Sequence, residues 1–121
     1  MPDTKPGLYE PTSPPIITDK TIVMAGSVTD NFSTRETSGV IRGFDVNTGE
    51  LLWAFDPGAK DPNAIPSDEH TFTFNSPNSW APAAYDAKLD LVYLRWASPR
   101  QISGAVIAHR NRNVMPARFW R

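Results

Sequence analysis

At 121 residues, with a formal net charge of −1 and no cysteine, the chain has room for one small domain with a modest core, and neither a disulfide nor a thiolate–metal site supports it. No basic stretch followed by an apolar one opens the sequence, and no apolar run approaches the ~20 residues of a membrane span, so the chain as written reads as soluble, without signal or membrane anchor. Twelve prolines and seven glycines leave little room for long helices and favour short strands joined by turns.

In chain order, "PPIITDKTIVMAGS" reads as a strand, a turn at Thr18 to Lys20, and a second strand. An insertion from Ser27 to Ser38 follows. The next unit is a hairpin of two aromatic-rich strands. "SGVIRGFD" alternates as a half-buried strand, and "ELLWAF" places Leu51, Trp53 and Phe55 on one face with Leu52 and Ala54 on the other. Between them Asp45 is placed to accept hydrogen bonds from the backbone of Thr48 and Gly49, and Gly49 to take the positive φ that closes the hairpin with a bulge.

The stretch from Asp56 to Trp80 is 25 residues long, holds four prolines and shows no strong element of its own. Loops of this length in compact domains are functional or disordered. Phe72, Phe74 and Trp80 at its end predict burial against another part of the protein. After it, "APAAYDAKLDLVYL" gives a strand, a turn at Asp86 to Lys88, and a strand. Two adjacent hairpins make a four-stranded antiparallel sheet, and the third begins a second sheet. That is the pattern of propeller blades lengthened by insertions, whereas a sandwich would show steadier spacing and shorter connections.

Charge is divided unevenly. Residues 1–94 hold all thirteen acids against six bases, and residues 95–121 hold six arginines with no lysine and no acid. A basic tail of this kind points to nucleic acid, but Trp96, Ile102, Val106, Ile107, Val114, Met115, Phe119 and Trp120 make it too apolar for a solvated arm and follow no clean period. No nucleic-acid partner is therefore expected.

Gly43-x-Asp45-x-x-Thr48-Gly49-x-x-x-Trp53 resembles the tryptophan-docking motif of the eight-bladed quinoprotein propellers, and residues 1–94 are similar to an internal part of the membrane-bound glucose dehydrogenases that depend on pyrroloquinoline quinone (PQQ). The resemblance implies an all-β fold, a fragment of an eight-bladed propeller amounting to roughly one blade plus part of the next. In that family the motif's tryptophan packs onto a neighbouring blade's motif, and the usual first residue is alanine where this chain has Gly43.

The resemblance also implies an oxidoreductase that converts D-glucose to glucono-1,5-lactone on the periplasmic face of the bacterial inner membrane and passes electrons through PQQ to ubiquinone. A divalent cation, Mg or Ca, would hold and polarise the cofactor. "VTDNF" matches the family's metal-binding segment, which makes Asp30 and Asn31 oxygen ligands. Trp80 matches the indole that stacks on the quinone. No catalytic residue is assigned, because the family's catalytic aspartate and a further ligand fall beyond Leu94.

After Leu94 the similarity stops, and the acid-free, lysine-free composition of residues 95–121 is what translation in a shifted reading frame would produce. The parent's membrane anchor and first blades are expected to be missing from this chain. Alone, a piece of a ring leaves sheet faces and edges bare, so the fragment is expected to be inactive and prone to aggregation. The competing reading is a non-catalytic propeller module that binds other proteins.

Overall fold

The computed structural model describes residues 8–29, 35–65, 67, 71–74, 77–98, 101–110, 113–114 and 118–120, with side chains described as far as Trp96. All regular structure among them is β, in eleven strands. The first six are β1 (Tyr9–Glu10), β2 (Ile16–Ile17), β3 (Thr21–Met24), β4 (Ser27–Val28), β5 (Ile41–Asp45) and β6 (Leu51–Phe55). Then come β7 (Ala84–Asp86), β8 (Leu91–Ser98), β9 (Gln101–Arg110), β10 (Asn113–Val114) and β11 (Arg118–Trp120).

Strands β2-β3-β5-β6 form one four-stranded antiparallel sheet, the blade expected from the two adjacent hairpins. Strands β7 and β8 open a second antiparallel sheet that continues through β9 into β10, with β11 also on β9. A short β1–β4 pair stands apart from both.

Each turn follows from side-chain oxygens competing for backbone donors. The Thr18 hydroxyl accepts from the Lys20 and Thr21 amides, closing β2 onto β3. At the β5–β6 turn, Asp45 Oδ1 accepts from the Asn47 and Thr48 amides at 2.8 and 2.9 Å. These bonds hold the Asp45 carboxyl below the usual carboxylate range. The Gly49 amide goes to the Asp45 carbonyl instead of its side chain, and Gly49 takes the expected positive φ of 73°. Asp86 repeats the device with the Lys88 and Leu89 amides, and Asp90 supplies the left-handed residue at φ 53°.

The bulge lies elsewhere than expected. Gly43 pairs with Trp53 but Phe44 pairs with Leu51, so Leu52 is the extra residue of the hairpin, and its side chain is exposed. Beyond the bulge, Trp53, Ala54 and Phe55 are all buried, so the strict alternation expected for "ELLWAF" gives way to burial on both faces at the strand's end.

The core sits between the two sheets. Val23, Ile41, Trp53 and Phe55 from the first join Val92, Leu94 and Trp96 from the second in one buried cluster. The alternate residues of β8 point inward, and the Phe55 and Trp96 rings meet at 5.8 Å, tilted by 54°. Strand β8 runs to Ser98, so the change in composition after Leu94 does not coincide with an element boundary.

Gly43 lies between Val23 and Trp53 in the register of three strands. A Cβ built there would fall 2.1 to 2.5 Å from Cε2, Nε1 and Cζ2 of Trp53. The indole therefore lies directly over the glycine, in space that only a missing side chain leaves open. This is the physical reason for a large aromatic at a fixed distance from the turn: the hairpin returns it across from the glycine, and its body reaches the second sheet's apolar face.

The long insertion is tied at its base by Asp56, which is 4% exposed. Its carboxylate accepts from the Gly58 amide at 3.1 Å and the Thr73 amide at 2.6 Å, and its own amide donates to the Pro62 carbonyl at 2.8 Å. Replacing Asp56 by alanine removes the acceptor that ties the part-buried amides of Gly58 and Thr73 to the base of the insertion. The expected loss is about 2 kcal/mol, read as a lower urea midpoint at unchanged slope.

Candidate quinone platform

Two cations explain where the insertion's aromatic residues go. The Arg42 guanidinium lies 5.6 Å from the Tyr9 ring centre and 5.1 Å from that of Phe72, and Arg35 lies 5.0 Å from that of Phe74. Arg42 thus links the β1 segment, strand β5 and the insertion. Burial there lowers the Arg42 pKa from its ordinary value, opposed by Tyr9, and raises that of the Tyr9 phenol, opposed by the Arg42 charge. Phe74 itself remains exposed.

The end of the insertion is held tightly. Gly39 lets the Pro77–Asn78 backbone approach so closely that a Cβ at Gly39 would fall 2.2 Å from the Pro77 carbonyl oxygen. Next along the chain, Ser79 is fully buried, with its hydroxyl unpartnered among the described residues. Trp80 then turns outward and leaves its side chain 51% exposed. The Trp80 carbonyl is the acceptor for two hydroxyls, Thr12 Oγ1 at 3.3 Å and Ser13 Oγ. A buried neighbour and an anchored carbonyl fix the backbone beneath a projecting indole.

That arrangement fits a planar ligand. A broad, exposed aromatic surface on a fixed backbone suits stacking with a flat conjugated ring system. The other expected site residues, Asp30 and Asn31, lie outside the described residues. Among the described residues no three His, Cys, Asp or Glu side chains gather in a way that could hold a metal ion.

Sequence reasoning singled out Trp80 but missed Thr12, Ser13, Arg42 and Asp56. A local signal existed for the first two, a Thr–Ser pair bounded by Pro11 and by Pro14–Pro15, and for Arg42, a cation within an apolar strand. Neither signal names a partner.

Relatives carry the reading further. The chain is 67% identical over 94 residues to "Quinoprotein glucose dehydrogenase A" of Acinetobacter calcoaceticus, covering 78% of this chain and 12% of that protein. It is 52% identical over 95 residues to "Quinoprotein glucose dehydrogenase" of Gluconobacter oxydans (strain 621H), covering 78% and 12%. To "Quinate/shikimate dehydrogenase (quinone)" of Acinetobacter baylyi (strain ATCC 33305 / BD413 / ADP1) it is 41% identical over 96 residues, covering 79% and 12%. The chain thus spans about one-eighth of the length of these curated relatives. No solved structure matches it at a significant level. Residues 1–111 match the PQQ family described as "Glucose/ethanol/alcohol dehydrogenase, beta-propeller domain". With antiparallel blade sheets, a tryptophan seated on the glycine of its own hairpin and that match over most of its length, the chain belongs to the PQQ β-propeller family of glucose, ethanol and alcohol dehydrogenases.

Proposed function

We propose that this chain is a stretch of the propeller of a PQQ-dependent glucose dehydrogenase, which oxidises D-glucose to glucono-1,5-lactone and passes electrons to ubiquinone at the periplasmic face of a bacterial inner membrane. The observation that carries this reading is the identity of 67% to a relative named for glucose, against 41% to one named for quinate and shikimate. The quinone supplies the redox chemistry when bound. This chain's own part is to hold it: Trp80 offers the stacking surface, with its backbone fixed by Ser79 on the buried side and by Thr12 and Ser13 at its carbonyl. Asp30 and Asn31 are assigned as hard oxygen donors for a Mg or Ca ion beside the cofactor. The acid-free, lysine-free composition of residues 95–121 supports assigning them to a shifted reading frame, against which stands the family match that runs on to residue 111. Sequencing the gene around codon 94 tests that assignment, which fails if no one-base shift restores similarity to the glucose dehydrogenases.

Trp80 is assigned as a platform and no residue of this stretch as catalytic, so binding and turnover are expected to separate. Equilibrium dialysis of the chain against PQQ with Mg present should show saturable binding. A dye-linked assay of the same mixture with glucose should show no reduction of the dye. Glucose turnover by the chain alone would refute the division of labour, and absence of PQQ binding would refute the platform. Bare sheet edges and the exposed apolar side chains of Ile17, Leu52 and Leu89 further favour self-association, visible as concentration-dependent elution on size exclusion.

A further inference from the structure

We infer that Thr12 and Ser13 are positioning residues for the quinone platform, a clamp that sets the direction of the Trp80 indole from 67 and 68 residues away in sequence. A backbone carbonyl has two lone pairs, and both hydroxyls converge on this one oxygen, so its hydrogen-bonding capacity is filled by the clamp. The donors sit on a stiff support. Pro11 precedes them and Pro14–Pro15 follow, which restricts φ on both sides and biases Ser13 towards extended backbone.

On its other side Trp80 leads through Ala81 into Pro82, and Ser79 before it is fully buried. The peptide bearing the indole is thereby held at its carbonyl, anchored before it and stiffened after it. The indole itself is half-exposed, so packing alone does not fix its direction. A stacking surface must be oriented before the ligand arrives if ordering it is not to subtract from affinity. The clamp holds the peptide of one defined residue, and with it the direction in which the indole leaves the backbone.

The inference rests on Trp80 being the PQQ platform, and the test separates the two ideas. The full chain is labelled with 5-fluorotryptophan, and Trp80→Phe identifies the Trp80 fluorine resonance by its disappearance. In the double variant Thr12→Val with Ser13→Ala, that resonance is expected to shift and broaden while the Trp53 resonance, which reports the core, stays in place. The Kd for PQQ, measured by dialysis on the same samples, is expected to rise about fivefold, as the loss of two exposed hydrogen bonds allows. Ser13→Thr keeps a hydroxyl and should restore the wild-type resonance and affinity. An unmoved Trp80 resonance, or an unchanged Kd in the double variant, overturns the clamp. A Trp80→Phe chain that binds PQQ as wild type does overturns the platform beneath it, and the fluorine spectrum then still decides whether the two hydroxyls orient Trp80.

Discussion

Trp53→Ala is expected to remove about 4 kcal/mol from the stability of the chain, a large part of what a domain of this size possesses. The indole is 5% exposed and belongs to the cluster that joins the first sheet to Val92, Leu94 and Trp96 of the second. Truncation therefore opens a cavity between the sheets and not within one of them. The urea midpoint should fall steeply, and the near-ultraviolet signal of the remaining core tryptophan, Trp96, should weaken because its packing is loosened. Trp53→Phe retains an aromatic body and should lose less. If Trp53→Ala cost under 1 kcal/mol, the indole would not be the wedge between sheets, and the packing reason for the motif's spacing would be wrong.

Gly43→Ala carries the second large effect, from the opposite cause. A methyl at this position falls within 2.1 Å of the Trp53 indole, far inside contact distance, and the atoms it meets belong to a rigid ring packed in the core. Either the ring or the β5–β6 pairing must shift. The expected loss is about 2 kcal/mol, of the size seen when an extra carbon is forced into a filled core. Because two named groups collide, the pair gives a signed coupling. Combining Gly43→Ala with Trp53→Phe should cost less than the two changes summed, since the smaller ring yields room for the methyl. Strict additivity would mean that the indole does not lie over the glycine.

The fold was legible where its causes are local. Asp45, Asp86 and Thr18 each announce a turn because their oxygens accept the amides two and three residues on, and Gly49 marks the positive φ that the β5–β6 turn requires. Apolar runs on either side then fix the hairpins and the four-stranded sheet. The bulge was misplaced because it depends on how Leu52 is accommodated once Trp53 settles on Gly43, which is a packing outcome and not a turn preference. The role assigned to Trp80 rests on resemblance. Its anchors left only a local trace, a Thr–Ser pair between prolines, since a hydroxyl at Thr12 or Ser13 carries no mark of the carbonyl it will reach across the fold. The same holds for Arg42, whose place between Tyr9 and Phe72 depends on two segments far apart in the chain.

In the proposed site a fixed, outward-facing indole at Trp80 receives the planar cofactor. Trp53 and Trp96 are buried and packed against protein, whereas the Trp80 ring is half-exposed, so a ligand stacked on it should act on its emission first. Titrating the chain with PQQ while following tryptophan fluorescence measures this most directly. Saturable quenching in the wild type that is largely lost in Trp80→Phe is the predicted result, and quenching of equal size and affinity in both proteins would contradict it.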